Sequence, residues 1–428
     1  MSTNLSNYIS QMLSIKDANI SFLEKIYVKK INKLNTIVHK AHLTYIPKAC
    51  PKCGNCNSKL IIKHGSKKTF VRLAPVNGQP TALELKKQRF LCKECKSTFI
   101  AETNIVKKHH SISSRLKALI LDSLSKKISE KDIAKLNTVS HSTVSRYIDK
   151  DFTKFSPKNN FLPKHLSFDE FKSTKDAKGS MSFIVTNLEK DEVFDIVENR
   201  QLPSLMRYFN KFTRKARSKV KTIVIDMYEP YITLIKKLFP NASIIFDRFH
   251  IVNHLSRALS KTRIDVMKKF STKSMEYKRL KKYWKLIQKD FSKLDTNIYK
   301  KRTHFRDLMS ETGIVNHSVS CDHILEETYN IYQELLLLIN IKDYDGLKKH
   351  LKTSKKSGSK YLQAAIKTLL VNFDYVKNAL IYKYSNGFTE GINNFIKVLK
   401  RIAFGYKSFF HFRNRILITF NLKKKLTS

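Results

Sequence analysis

Thr222-Ile-Val-Ile-Asp-Met-Tyr228 is a run of β-branched apolar residues that closes on an acid. Such a run, bounded by polar residues, predicts a strand buried on both faces. An acid at the C-terminal lip of a buried strand is costly to desolvate unless it serves a purpose. Upstream, Leu166-Ser-Phe-Asp-Glu-Phe171 predicts a second strand over His165–Phe171, with Asp169 near its end. Met181–Leu188 and Glu192–Glu198 read as strands after it, and Val220–Asp226 and Ala242–Asp247 complete the set. One helix follows Pro203 and another spans about Glu229–Phe239. Three consecutive strands, then alternating helices and strands, predict a mixed sheet with helices packed on it.

Beyond this centre the pattern changes in both directions. From Ile251 to about Leu380 it is helical and very basic, with Leu280, Tyr283, Trp284 and Ile287 spaced as one helix face. Tyr231 and Trp284 are expected in the core. Asn386–Arg415 reads as a loop entering another long helix. On the amino-terminal side, Ser113–Lys150 predicts three short helices. Pro47–Ala101 carries paired cysteines at each end, alternating runs such as Leu83, Leu85 and Phe90, and a turn at Asn77-Gly78. That is a small β module. Residues 1–45 show helix-like spacing at Ile20, Leu23, Ile26 and Tyr27.

The charge selects the partner. Lys and Arg total 82 against 35 Asp and Glu, a net +47 over 428 residues. Self-repulsion of that size calls for a polyanion, either nucleic acid or an anionic membrane. The longest apolar run, Leu335–Ile339, is far below the roughly 18 residues of a spanning helix. Met1–Ile20 has no basic region leading into an apolar one, so no signal peptide is expected and the location is cytosolic. In a reducing cytosol the six cysteines read as metal ligands before disulfides.

Cys50-Pro-Lys-Cys53 and Cys92-Lys-Glu-Cys95 are two C-x-x-C units. Together they supply the four-sulfur tetrahedral shell of a structural zinc ion, closed to substrate. Free buried thiols or a redox pair are the alternative. Cys56 is a spare thiol that could enter the shell; Cys321 stands alone. Farther on, Ser129-Glu-Lys-Asp132 resembles a capping box opening a helix through Leu136. Asn137-Thr-Val139 is the turn and Ser140 caps the next helix. With Val144 and Ile148 inward, His141, Ser142, Thr143, Ser145 and Arg146 face outward, as on a DNA-recognition helix. A plain helical hairpin is the alternative.

Asp169 and Asp226 on adjacent strands form a hard oxygen site suited to Mg²⁺ or Mn²⁺. The third acid is Glu390, in Asn386-Gly-Phe-Thr-Glu-Gly-Ile-Asn-Asn-Phe-Ile396. A helix starting there puts Glu390, Asn394, Lys397 and Arg401 on one polar face, with Phe395, Val398, Leu399 and Ile402 opposite. In-line attack on a phosphodiester uses two cations roughly 3.5–4 Å apart, and carboxylates hold both without a covalent step. A single strand-end Asp is more often a turn or capping residue. Glu170 competes as a ligand, and Asp247 with His250 stand as supporting residues or a structural pair.

These motifs, in order, resemble the bacterial DDE insertion-sequence transposases of the L-three family. The matching strings are the cysteine pairs, Val139-Ser-His-Ser-Thr-Val-Ser-Arg146 and Phe168-Asp-Glu-Phe171. Asp226-Met-Tyr-Glu-Pro-Tyr231, Asp247-Arg-Phe-His-Ile-Val252 and Thr389-Glu-Gly-Ile-Asn-Asn394 follow, the last two being the most specific. The resemblance implies an RNase H-like five-stranded core over 160–255 with Asp169, Asp226 and Glu390 as catalytic triad. It implies a helical insertion over 256–380 and a closing segment, 381–428, that bears Glu390. A helical segment over 1–45, a zinc ribbon over 46–105 and a helix-turn-helix over 110–155 precede the core. The implied partner is double-stranded DNA, transposon ends and target alike, bound by a homodimer, nucleoid-associated and with no membrane. Lys397 and Arg401 are expected at the DNA. The competing readings are a domesticated or inactive relative that only binds DNA as a regulator, and a nucleoid protein using charge alone.

Overall fold

The described residues of this computed structural model are 2–31, 33–152 and 157–427. They begin with α1 (Ser2–Met12), β1 (Ile20–Ile31), β2 (Leu34–Leu43), β3 (Ile61–Arg72), β4 (Thr81–Cys92) and β5 (Thr98–Ile100). Helices α2 (Ser114–Leu124), α3 (Glu130–Leu136) and α4 (His141–Phe152) follow. Then come β6 (His165–Lys172), β7 (Met181–Asn187), β8 (Glu192–Val197), α5 (Leu202–Phe209), α6 (Arg214–Ser218), β9 (Thr222–Ile225), α7 (Glu229–Leu238) and β10 (Ser243–Phe246). The next stretch holds α8 (Arg248–Met267), α9 (Met275–Lys282), α10 (Trp284–Gln288), β11 (Lys300–Lys301) and β12 (Leu308–Met309). It continues with α11 (Glu311–Val319), α12 (His323–Asn340), α13 (Tyr344–Thr353), α14 (Lys360–Val371) and α15 (Phe373–Ile381). Last are α16 (Gly387–Ile402) and α17 (Phe409–Thr427). No helix among the described residues is long and apolar enough to cross a membrane.

The chain divides into two compact units. One, Pro157–Ser173 with Ala177–Asn394, contains a five-stranded sheet in the order β10-β9-β6-β7-β8. β6, β7 and β8 pair antiparallel, while β9 and β10 add in parallel, with Leu166 beside Ile223 and Ile223 beside Ile244. This is the mixed sheet anticipated from the strand pattern, and it is consistent with the RNase H-like core that the family resemblance implied. All four residues of β9 are buried, because a parallel strand covered by helices loses both faces to solvent. One apolar cluster runs from Leu162 to Leu380 and joins sheet residues such as Phe168 and Val224 to helix residues such as Leu255, Leu325 and Leu335. Tyr231 is buried as expected, but Trp284 is 40% exposed. The expected single helix face over Leu280–Ile287 is broken at Tyr283, which separates α9 from α10 and donates to the Thr303 carbonyl at 2.8 Å. Tyr283 takes the inner position and turns Trp284 outward.

The other unit is Met1–Ser156, Thr174–Asp176 and Phe395–Ser428. Its sheet runs β1-β2-β4-β3, with β5 on the far part of β4. The helical reading of residues 1–45 holds only for α1; Ile20–Leu43 is an antiparallel hairpin. Leu23 and Ile26, which carried the helix-like spacing, are exposed at 39% and 51%. Parallel pairing of β2 with β4 buries Val38, Ala41 and Leu43, a non-local gain that overrides local spacing. Asn77 and Gly78 both have positive φ and join Val76 to Gln79 by two hydrogen bonds, the type I′ turn that suits this pair.

The three helices over 113–150 form as anticipated. Ser129 accepts from the Asp132 amide at 3.1 Å, and Leu116, Ile120, Leu124, Ile133, Val144 and Ile148 make their core. Ile418 of α17 belongs to the same cluster. The expected closing segment 381–428 therefore does not stay whole: from Phe395 onward it belongs to the unit of the three helices. Residues 153–155, at the end of the expected 110–155 module, lie outside the described residues.

Candidate active site

Side chains alternate along a strand, so Ser167 and Asp169 of β6 share one face and Glu170 takes the other. Glu170 is accounted for on its own side: it accepts from the Tyr231 hydroxyl at 2.7 Å and pairs with Arg200. Asp169 instead faces the first turns of α16. There the Asn393 amide donates to Asp169 Oδ2 at 2.7 Å, while Asp169 Oδ1 accepts from the Glu170 backbone at 2.7 Å.

A buried polar network holds the start of α16. Ser167 and Thr186 lie opposite each other on β6 and β7. Thr389 reaches both, at 3.1 Å and 2.9 Å, and Ser167 donates to the Asn386 carbonyl oxygen of the side chain. Asp247, 3% exposed, follows β10 at the start of α8 but makes no side-chain cap there; it accepts from the Asn386 backbone at 3.1 Å. The first turn of α16 is thus tied to three strand ends, which sets where Glu390 points.

Glu390, Asp247 and His250 each place one ligand atom within 4.8 Å of the others. His250 Nε2 also lies 3.1 Å from Asp226 Oδ1 without an aligned hydrogen bond, so that buried oxygen has no donor. Asn393 Oδ1 is likewise buried and unpaired. Burial, then the charges of Glu170, Asp247 and Glu390, push the Asp226 carboxyl up to about 7. Asp169 is pushed up to about 7 by burial and then by Asp226. Carboxylates crowded this closely, with an oxygen left unpaired, have the donor chemistry of a hard divalent cation.

Sequence reasoning named Asp169, Asp226, Glu390, Asp247 and His250, and all five lie in this one unit. Asn393, which was not singled out, makes a contact with Asp169, and the expected Asn394 is exposed next to it. The buried stripe of α16 is Thr389, Ile392, Ile396 and Leu399, so the helix is turned relative to the expected Phe395, Val398, Leu399 and Ile402 face. Lys397 and Arg401 remain exposed. Ser167, Thr186 and Asn386 were missed; hydroxyls at matching positions of two apolar strands were the available signal.

In the other unit Cys50, Cys53, Cys92 and Cys95 place their sulfurs within 4.8 Å of one another. Cys50 to Cys95 is 3.7 Å and Cys53 to Cys92 is 3.8 Å. A tetrahedron with zinc–sulfur bonds of about 2.3 Å has edges of about 3.8 Å. The backbone amides of Cys53 and Lys52 bring the Cys50 thiol down to about 6, toward the thiolate that zinc needs. Cys56 lies outside the four, directed at the Gly54 carbonyl. On α4, His141, Ser142, Ser145, Arg146, Asp149 and Lys150 line an open hollow. Thr143 corrects the expected outer face: it is 5% exposed, its hydroxyl 2.9 Å from Ser140 Oγ at the helix start.

Comparison with known proteins agrees with this anatomy. A transposase family model, that of the ISL3 DDE enzymes, matches residues 166–416, more than half the chain. The zinc-finger model of the transposases of IS204, IS1001, IS1096 and IS1165 matches residues 48–95. The transposase of insertion sequence element IS1001 from Bordetella parapertussis is 20% identical over 381 residues, 86% of this chain and 88% of that protein. An ATP-dependent protease of Lactococcus lactis subsp. lactis is 36% identical over 110 residues, 26% of this chain and only 35% of that protein's length. With the sheet order, the four-cysteine cluster and a family match across most of both, the chain belongs to the ISL3 family of DDE transposases and carries that family's zinc ribbon.

Proposed function

We propose that this protein binds the terminal inverted repeats of its insertion sequence and cuts and rejoins DNA there, with Asp169, Asp226 and Glu390 as the catalytic carboxylates. The observation that carries the reading is the unpaired, buried Asp226 Oδ1 among acids that repel one another. Two Mg²⁺ or Mn²⁺ ions, when bound, would activate the attacking water or 3′-hydroxyl and stabilise the leaving oxygen. Asp226 offers them an oxygen that accepts no aligned hydrogen bond and has His250 Nε2 3.1 Å away, and Glu390 offers a carboxylate at the start of α16. Asn393 orients Asp169. Asp247 and His250 support Glu390 and Asp226, and Asn394, Lys397 and Arg401 continue the polar side of α16 toward DNA.

End recognition is assigned to the zinc ribbon over 46–105 and the helix-turn-helix over 110–155, with His141, Ser142, Ser145 and Arg146 at the base edges. The reading includes double-stranded ends and target, two copies acting on paired ends, and a nucleoid-associated place in a bacterial cytoplasm. The test is cleavage of a supercoiled plasmid carrying the element ends. Strand breaks are expected in Mg²⁺, none in EDTA and none with Asp226→Asn. Full activity of Asp226→Asn would remove the enzymatic assignment, and tight end binding without cleavage under any metal would leave a DNA-binding regulator.

A further inference from the structure

Phe404 is 99% exposed. It stands in the turn between α16 and α17 at φ 52°, a conformation that a bulky side chain rarely adopts. The hydrogen bonds explain the conformation. Phe404 N donates to the Arg401 carbonyl at 3.2 Å and Gly405 N to the Lys400 carbonyl at 2.9 Å. That is a Schellman ending, and the left-handed position it calls for is ordinarily glycine's. Here phenylalanine holds that position and glycine stands one place later, at φ 95°. The fold gains nothing from the ring: it is strained and fully in water.

The turn is not a loose tip. Tyr406 packs on Phe412 with ring centres 4.5 Å apart, and its hydroxyl shares Glu130 and Arg415. Phe409 is 2% exposed and its amide donates to Asp176 at 3.0 Å. Glu130, 7% exposed, also lies 3.0 Å from His411 and 3.7 Å from His141, the first residue of α4. Glu130 therefore links the Phe404 turn to the amino-terminal end of α4, the end a recognition helix presents to bases. Arg401 and Lys407 lie three residues to either side of Phe404 in the sequence and are exposed. An exposed ring on a turn anchored by Tyr406 and Phe409, with cations close by in the sequence and a hydrogen-bonded path to the start of α4, matches the chemistry of a nucleobase and its phosphates.

We propose that Phe404 is an aromatic wedge that stacks on a base of the element-end DNA next to the bases contacted by α4. The proposal rests on the end-binding role given to the helix-turn-helix. The test uses the full-length protein and end duplexes carrying 2-aminopurine at successive positions. Wild-type protein should raise the fluorescence at one or two adjacent positions. Phe404→Ala and Phe404→Gly should lose that signal and bind ends roughly ten- to a hundredfold more weakly, the scale of one lost stacking contact. Phe404→Gly should melt no lower than wild type, since it relieves the left-handed strain, so lost binding cannot be assigned to unfolding. Phe404→Trp should restore both signal and affinity. End binding and fluorescence unchanged in Phe404→Ala would overturn the wedge while leaving the helix-turn-helix intact. Wild-type protein that fails to prefer ends over random duplex would overturn both. Normal end binding by Phe404→Ala with a loss of self-association on a sizing column would assign the ring to a second copy and overturn the proposal.

Discussion

Asp226 stores an unfavourable charge in the absence of metal. Its carboxyl, ordinarily near 3.8, is held at about 7 by burial and neighbouring acids, as is that of Asp169. A pKa raised on folding contributes stability that is fully present below the unfolded value and is lost as pH rises through the folded one. The metal-free protein should therefore lose melting temperature between about pH 4 and above pH 7 through these two groups, and Mg²⁺ should restore it at pH 8. Asp226→Asn should melt higher than wild type in EDTA at pH 8 and gain little from Mg²⁺. A lower melting temperature for Asp226→Asn under those conditions would mean that the crowding is not repulsive. Asn393 acts through Asp169. Asn393→Ala should cost on the order of 10–100-fold in cleavage or Mn²⁺ affinity, the range for residues that orient metal ligands, with little change in end binding. Calorimetric titration with Mn²⁺ and plasmid cleavage read the two effects separately.

Among the elements, α17 has the least expected role. Arg415 is fully buried and donates to the carbonyls of Leu124, Lys126 and Ile128, the end of α2 and the link toward α3. Ile418 fills the apolar cluster beneath the same helices. Carbonyls at a helix end need donors, and here they come from about 290 residues away in sequence. Arg415→Met should take the guanidinium donors from the Lys126 and Ile128 carbonyls, while Leu124 keeps the Thr419 hydroxyl, at about 2–4 kcal/mol. The expected result is a lower melting temperature and weakened end binding, although no residue on the outer face of α4 has changed. End binding at the wild-type level in Arg415→Met would show that α2–α4 do not need this clamp.

At the scale of the molecule the dominant quantity is the net charge of +47. Each phosphate neutralised by Lys or Arg releases counterions, so affinity for any duplex should fall steeply with salt. With at least six phosphate contacts the loss is about a thousandfold or more between 50 and 200 mM salt, for end and random DNA alike. Mobility-shift titrations across that range check the slope, and a nearly flat salt response would mean that the basic surface serves something other than DNA.

The sequence alone determined the mixed sheet, the zinc ribbon and the three helices over 113–150, because each rests on local rules. β9 is legible as apolar β-branched residues ended by Asp226, and C-x-x-C pairs announce their metal without any fold. Tertiary structure alone decided what depends on non-local pairing or rotation. Residues 20–43 became strands because β2 found β4 as a partner. The phase of α16 put Asn393 on Asp169, since its turn is set by a buried network of Ser167, Thr186 and Asn386. Thr143 went inward to meet the Ser140 hydroxyl at the start of α4, and Trp284 outward because Tyr283 took the inner place. Period and composition say which residues can be buried; only competition for the same interior decides which ones are.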